Sequence, residues 1–149
     1  MKIALGSDHG GYNLKEAIKE YLEEKNIAYE DFGANSVDSV DYPAYGEKVA
    51  VAVAEKKCDY GILCCGTGIG ISLAANKVPG IRCAVVSDVF SAKMSKAHNN
   101  ANMLSLGERV VGPGLALTIV EAWLNTEFEG DRHERRVNLI GEIEKKYNK

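Results

Sequence analysis

The chain contains the stretch Asp59-Tyr60-Gly61-Ile62-Leu63-Cys64-Cys65-Gly66-Thr67-Gly68-Ile69-Gly70, in which an apolar run leads into a loop of alternating glycines. A short apolar run that ends at a glycine-rich turn predicts a buried strand, here over residues 59–65. The following residues, 69–76, predict a short helix that Pro79-Gly80 stops. A buried strand, a loop and a helix in this order are typical of a parallel sheet covered by helices.

The same alternation continues on both sides of this stretch. Strands are also predicted at residues 2–6, 27–32, 81–86 and 103–106, and helices at 14–22, around 49–53 after Pro43, at 89–98 and at 115–124. Five strands, each followed by a helix, predict an α/β fold: a Rossmann-like three-layer sandwich with a five-stranded parallel sheet and helices on both faces. The charged residues 127–149 predict an extra C-terminal helix, which packs on its own domain or, as we favour, on a second subunit.

Length and composition describe an ordinary globular protein. A chain of 149 residues fits one core, so we expect a single domain over residues 1–149. Its 46% hydrophobic and 26% charged residues exclude general disorder. A net charge of −3 gives no global positive field for nucleic acid or an anionic membrane. No apolar run reaches the roughly 18 residues of a membrane span or forms a signal peptide, so we expect a cytoplasmic protein.

Cysteine and histidine spacing indicates no structural metal. The four cysteines contain no C-x-x-C pair, and the three histidines show no short ligand spacing. We therefore expect free thiols in a reducing compartment and no bound zinc.

Polar residues collect where the predicted strands end, at Ser7-Asp8-His9, Cys65 to Gly70, Ser87-Asp88 and Gly107-Glu108-Arg109. In an open parallel sheet, ligands bind outside the carboxyl ends of the strands. The glycines of the 65–70 loop would let several backbone N–H groups face one anion at a helix start, so we predict an anion site there.

A dinucleotide fingerprint is not present. The spacing G-x-G-x-x-G would need glycine at Ile71 or Leu73, and no Walker lysine follows the loop. Asp88 follows the next strand, where a ribose-binding acid would lie, but we interpret its position as coincidence. A nucleotide-binding module without catalysis stays a less favoured alternative.

Several side chains have both a chemical and a structural interpretation. The loop would stabilise a thiolate at Cys65, which could act as base or nucleophile, or the residue packs as a small hydrophobe. Cys64 points to the opposite sheet face and is interpreted as structural, as are Cys58 and Cys83. His98 ends a helix near the approach to the carboxyl end of the fifth strand, as a helix cap or a catalytic acid. Two arginines share one helical face and would clamp a phosphate or lie solvated: Arg132 and Arg136.

Taken together, a series of motifs resembles ribose-5-phosphate isomerase type B over essentially the whole chain. The motifs, in order, are Gly6-Ser7-Asp8-His9-Gly10-Gly11, Asp41-Tyr42-Pro43, Cys65-Gly66-Thr67-Gly68-Ile69-Gly70, Ala74-Ala75-Asn76-Lys77, His98-Asn99, Gly107-Glu108-Arg109-Val110-Val111-Gly112 and Arg132-His133-x-x-Arg136. The resemblance implies an aldose–ketose isomerase that uses neither metal nor nucleotide cofactor and acts on ribose 5-phosphate through a cis-enediol.

The resemblance also implies a role for each site residue. Cys65 is the base that moves a proton between C2 and C1, His98 the acid that opens the furanose ring, and Asp8 the partner of His98 at the ring hydroxyls. The enediolate oxygen is bound by Thr67 with the loop residues Gly66, Gly68, Ile69 and Gly70. The phosphate ligands are His9, Arg109, Arg132 and Arg136, and Asn99 contacts the sugar.

The resemblance leaves some alternatives open. One branch of the family uses a glutamate in the glycine loop as base; this loop carries Ile69 and no carboxylate, so the cysteine branch is implied. Family members are homodimers, sometimes paired into tetramers, with sites shared between subunits. Allose 6-phosphate and galactose 6-phosphate isomerases are related, so a six-carbon substrate is an alternative. A subunit of a two-chain isomerase is disfavoured because one chain carries all the implied residues.

Overall fold

The structure is a computed structural model that describes residues 1–148, in which strands and helices alternate. The strands are β1 (Lys2–Ser7), β2 (Ala28–Asp31), β3 (Tyr60–Cys65), β4 (Cys83–Val85) and β5 (Met103–Gly107). The helices are α1 (Tyr12–Glu24), α2 (Tyr42–Ala54), α3 (Ile69–Ala75), α4 (Val89–Ala97), α5 (Pro113–Leu124) and α6 (Arg132–Tyr147), with a 3-10 turn at His9–Gly11. The predicted α/β fold is confirmed, including the C-terminal helix.

All pairings in the sheet are parallel, and the strand order is β2-β1-β3-β5-β4. The chain therefore winds outward in both directions from the pair β1 and β3. In such a sheet the carboxyl ends of the two central strands form a crevice where ligands bind. Ser7 pairs with Cys64, and Cys65 pairs with Gly107, so the ends of β1, β3 and β5 meet at one edge.

Two apolar cores cover the two faces of the sheet. One core holds Cys64 among residues of α1, α4 and α5, and the other holds Cys65 among residues of α2 and α3. Successive residues of a strand point to opposite faces, which explains why these two neighbours separate. The predicted division between Cys64 and Cys65 is confirmed.

The fourth strand is shorter than the predicted 81–86. The backbone N–H of Arg82 donates to the Asn102 side-chain oxygen across 2.8 Å, and the Arg82 Nε donates to the carbonyl of Asn100 across 3.0 Å. These bonds turn Arg82 towards the β5 approach, so ladder pairing begins at Cys83.

Helix α6 lies beyond the β4 edge. Its Glu144 carboxylate accepts the backbone N–H of Gly80 at 3.0 Å, and the preceding loop is held because the N–H of Glu129 donates to the carbonyl of Ala97 at 3.0 Å. Over residues 1–148, every helix is too short or too polar to span a bilayer.

Candidate active site

Cys65 ends β3 with its side chain only 5% exposed. Its Sγ accepts a hydrogen bond from the backbone N–H of Gly68 at 2.9 Å. Gly68 reaches this position with a left-handed φ of +81°, and a Cβ built on it would lie 2.9 Å from the carbonyl carbon of Leu106. The hydroxyl of Ser105 donates to the Gly68 carbonyl at 2.6 Å. The loop is therefore clamped against β5 with an N–H directed at the sulfur.

Tyr42 forms a wall beside the same loop. A Cβ built on Gly70 would lie 2.8 Å from the Tyr42 ring, so only a glycine fits under this ring without displacing it. Tyr42 starts α2 and had no predicted role, although it lies within the motif Asp41-Tyr42-Pro43. The Tyr42–Gly70 contact is tertiary, and no local spacing in the sequence signals it.

Asp8 and His9 lie next to the loop: Asp8 caps the 3-10 turn that follows β1, and His9 begins it. The Asp8 carboxylate is buried and accepts the N–H of Gly11 at 3.2 Å. His9 Nδ1 accepts the N–H of Val40 at 3.1 Å, so a neutral His9 ring carries its proton on Nε2. A Cβ built on Gly10, the residue after His9, would lie 3.1 Å from the Gly66 nitrogen, which shows how closely the turn and the loop pack. Both side chains therefore lie with Cys65 at the carboxyl ends of the strands, which we call the carboxyl edge.

Arg109 brings a positive charge to this edge. Its backbone N–H donates to the Gly66 carbonyl at 3.1 Å. Its guanidinium packs against Gly66, where a built Cβ would lie 3.3 Å from the nearest guanidinium nitrogen. Thr67 is exposed, and its hydroxyl accepts the N–H of Ile69 at 3.2 Å. The structure thus unites the predicted residues Asp8, His9, Cys65, Gly66, Thr67, Gly68, Ile69, Gly70 and Arg109.

The remaining predicted residues lie at the opposite end of the sheet, where the strands begin, which we call the amino edge. Helix α4 leaves the carboxyl end of β4 and runs back, so His98, its last-turn cap, lies at the amino edge. The carbonyl of the next residue, Asn99, accepts the Nε of Arg82 at 3.2 Å, and Arg82 immediately precedes β4. A six-residue strand separates the two edges, about 17–20 Å. The predicted position of His98 near a strand's carboxyl end was wrong, because a helix after a parallel strand returns the chain.

Two arginines and a histidine of α6 accompany His98. Arg132 and Arg136 are exposed in the first turns of α6, and His133 between them is buried. The His98 and His133 rings stack with centroids 4.2 Å apart and planes 7° from parallel. Burial, together with the charges of His98 and Arg132, lowers the pKa of His133 below its usual value, so the ring is neutral near pH 7. Sequence reasoning missed His133 as a partner of His98 because the two lie far apart along the chain.

Other predicted features have structural roles. The Asp88 carboxylate accepts the N–H of Ser91 at 2.7 Å and caps α4, which removes the support it lent to a nucleotide site. Burial raises the pKa of the Cys58 and Cys64 thiols and raises that of Cys83 to about 12. These three side chains therefore stay protonated thiols, in agreement with their structural interpretation.

Comparison with known proteins agrees with this geometry. The model of the Ribose/Galactose Isomerase family matches residues 3–140. The chain is 50% identical to Ribose-5-phosphate isomerase B of Escherichia coli over 99% of both chains. It superposes with a TM-score of 0.98 on Ribose-5-Phosphate Isomerase B of Clostridium thermocellum, with 60% identity and 99% of both chains covered. For the Mycoplasma genitalium Ribose-5-phosphate Isomerase B structure with bound ribulose-5-phosphate, the TM-score is 0.93 and the identity 41%, covering 97% of this chain and 96% of that one. The chain belongs to the ribose/galactose isomerase family.

Proposed function

We propose that this protein interconverts ribose 5-phosphate and ribulose 5-phosphate without a metal or a nucleotide cofactor. The observation that carries the proposal is the Cys65 sulfur, buried at the central strand end and hydrogen-bonded by the Gly68 N–H at 2.9 Å. The bound ketose phosphate in the Mycoplasma genitalium relative supports this substrate. The reaction belongs to the non-oxidative pentose phosphate pathway, and we propose a cytoplasmic location.

The chemistry is a proton shift between adjacent carbons. In the open-chain aldose, the Cys65 thiolate takes the proton from C2 while the C1 carbonyl oxygen gains a proton, which gives a cis-enediol. The thiol then returns its proton to C1 as the C2 hydroxyl loses its proton and becomes the ketone. A carbon acid beside a carbonyl is weak, so the base works only where the developing oxyanion is stabilised at the same moment.

The loop beside Cys65 supplies that stabilisation. Backbone N–H groups of residues 66–70 and the Thr67 hydroxyl are preorganised donors for the enediolate oxygen. Cationic Arg109 and the Nε2–H of His9 are suited to the phosphate at the same edge. Asp8 is suited to accept the sugar hydroxyls, because its buried carboxylate has spare acceptor capacity beside its single backbone donor.

The acid for ring opening comes from a second chain in this proposal. His98, Asn99, Arg132 and Arg136 lie at the amino edge of the sheet, a strand length from Cys65, and a side chain cannot reach that far. A homodimer in which the amino edge of one subunit covers the carboxyl edge of its partner joins the two sets. Each dimer then holds two identical sites, and each site has Cys65 from one chain and His98 from the other.

Exposed apolar residues support a homodimer. Helix α6 presents Leu139, Ile140, Ile143 and Tyr147, each about half or more exposed, and α3 exposes Ile69 and Leu73 beside the Cys65 loop. Adjacent exposed apolar side chains on a small protein mark an interaction surface. A second copy of the chain is the occupant that would also complete the site.

The test is conversion of ribose 5-phosphate by the purified protein in chelator, for the wild type, Cys65→Ala and Cys64→Ala. We expect wild-type turnover to survive in Cys64→Ala, whose change lies on the other sheet face, and to fall at least about 10²-fold in Cys65→Ala. Allose 6-phosphate is assayed in parallel. Faster turnover of allose 6-phosphate would identify that sugar, and not ribose 5-phosphate, as the preferred substrate. A folded wild type that turns over neither sugar would overturn the proposal.

A further inference from the structure

A cluster of metal-binding side chains lies at the amino edge, outside the Cys65 loop: His98, Glu129 and His133. One ligand atom from each lies within 4.8 Å of the other two. His133 Nε2 is 3.4 Å from Glu129 Oε1, and His98 Nε2 is 3.8 Å from the same oxygen. The Nε2 atoms of both imidazoles therefore lie near one carboxylate oxygen.

The polar atoms of this cluster are incompletely satisfied. His133 is only 6% exposed, and its Nε2 has no hydrogen-bond partner among the described residues. A buried polar atom without a hydrogen-bond partner is unfavourable, so such an atom calls for an explanation. A cation that accepts one lone pair from each imidazole and one from the carboxylate would explain the unsatisfied nitrogen.

We propose that His98, Glu129 and His133 form a binding site for a divalent transition-metal cation of the Zn²⁺ class, and that the bound cation inhibits the enzyme. Two imidazoles and one carboxylate are a ligand set for Zn²⁺, Co²⁺ or Ni²⁺, whereas Mg²⁺ and Ca²⁺ prefer oxygen ligands alone.

The distances suit such a cation. In a tetrahedral site with metal–ligand bonds of about 2.0–2.1 Å, ligand atoms lie about 3.3 Å apart. The pair of His133 and Glu129 already has this separation at 3.4 Å. Because the two imidazoles are stacked 7° from parallel, the partly exposed His98 ring must turn out of the stack to direct its Nε2 lone pair at a cation bound by His133. The side chains of His98 and Glu129 are 38% and 52% exposed, which leaves the fourth coordination position open to water.

The inhibitory effect rests on the proposed function. There, His98 is the acid that opens the furanose ring in the partner subunit's site. A cation on its Nε2 occupies the lone pair that carries the proton and holds the ring against Glu129, so His98 can no longer donate. Ring opening of the aldose and ring closure of the product are the same reversible step, so the cation should slow the reaction in both directions.

Binding is tested directly by titrating Co²⁺ into the wild type, Cys65→Ala, Glu129→Gln and Glu127→Gln and recording visible absorption. We expect d–d bands of nitrogen and oxygen ligation, without intense thiolate charge transfer, in the wild type, in Cys65→Ala and in the matched control Glu127→Gln. Glu129 is exposed, so Glu129→Gln should fold normally and bind Co²⁺ at least about tenfold more weakly. Equal binding by Glu129→Gln, binding that requires Cys65, or no saturable binding would each overturn the site.

The inhibition has its own measurement. Zn²⁺ should lower ribose 5-phosphate turnover at least about tenfold in wild type and Glu127→Gln, reversibly with chelator, and much less in Glu129→Gln. Ribulose 5-phosphate turnover should fall as well, because the ring step lies on the same reversible path. Equal loss in Glu129→Gln would contradict inhibition through this site. If neither sugar is turned over but Co²⁺ still binds as described, the proposed function fails while the metal site stands.

Discussion

The backbone N–H of Gly68 points at the sulfur of Cys65 and donates to it across 2.9 Å. This relationship depends on a backbone conformation, a φ of +81°, that residues other than glycine rarely adopt. It also depends on the Ser105 hydroxyl, which holds the Gly68 carbonyl at 2.6 Å from the β5 side. The base and the donor that stabilises it are thus set by one short loop whose position β5 determines.

Gly68→Ala should impair catalysis beyond its effect on stability. The new Cβ would meet the Leu106 carbonyl carbon at 2.9 Å and displace the N–H from the sulfur, so we expect kcat to fall about 10²-fold. Gly80→Ala is the matched control, since Gly80 has a similar φ of +88° with nothing within 4 Å of a built Cβ. Both variants should lose about 1–3 kcal/mol of unfolding free energy from backbone strain. Steady-state kinetics of the folded variants would contradict this account if their kcat values were equal.

Ser105→Ala should act as a loss of positioning. Without its hydroxyl the Gly68 carbonyl loses its hydrogen bond to β5, which costs about 0.5–1.5 kcal/mol and loosens the loop. We expect kcat to fall about tenfold, which corresponds to about 1.4 kcal/mol and so matches the loss of one hydrogen bond. KM should change little. Ser72→Ala is the control, because Ser72 also donates to a backbone carbonyl at 2.6 Å but within its own helix. A Ser105→Ala enzyme with wild-type kcat would show that the hydroxyl only stabilises the fold.

The buried ion pair of Lys15 with Asp31 should dominate acid stability. Lys15 Nζ lies 2.7 Å from the Asp31 carboxylate and 2.7 Å from the Ala34 carbonyl. Burial alone would raise the pKa of Asp31, but hydrogen bonds from Lys15, Gly33 and Lys19 outweigh it and hold this pKa below its usual value. Asp31→Asn leaves the ammonium buried without a counter-charge and should lower the unfolding free energy by about 3–5 kcal/mol at pH 7.

The pH dependence of this effect has a definite sign. Because the folded pKa of Asp31 is depressed, its contribution is complete above the unfolded aspartate pKa of about 3.9 and is lost as pH falls through the folded value. Urea unfolding of wild type and Asp31→Asn between pH 7 and pH 3 should show a constant gap that narrows only below about pH 4. The double variant Lys15→Met, Asp31→Leu should recover most of the loss. A gap that widens on acidification would contradict the pairing.

Ile143→Asp should separate the subunits of the proposed homodimer. A carboxylate on the exposed apolar face of α6 must be desolvated when the second subunit packs there, so we expect sedimentation of a monomer with wild-type circular dichroism and little activity. Leu115→Asp changes an exposed leucine on α5 and should remain dimeric and active. A dimeric, active Ile143→Asp protein would exclude this face from the interface.

Much of the fold was predictable because its signals are local. Buried parallel strands such as β3 are continuous apolar runs, and alternation along that strand separates Cys64 from Cys65. The start of β4 was predicted too early because Arg82 lies within the mostly apolar run 81–86, whereas its bonds to Asn100 and Asn102 are long-range.

The site was predictable only in part, for a geometrical reason. Residues at strand ends, such as Asp8 and Cys65, meet because parallel strands end together. His98 lies at a helix end, and the helix carries it to the other edge. The contacts of Tyr42 with Gly70 and of His133 with His98 join distant segments, so no residue spacing reveals them.

The central claim is that Cys65 of one chain and His98 of another form one site, and subunit mixing tests it most directly. Cys65→Ala and His98→Ala proteins are each assayed alone with ribose 5-phosphate, then unfolded together in equal amounts and refolded. In a mixed dimer one of the two sites has both residues intact, and half of the dimers are mixed, so activity should return to about one quarter of the wild type. If both residues of each site came from the same chain, the mixture would stay as inactive as its components, and the shared site would be refuted.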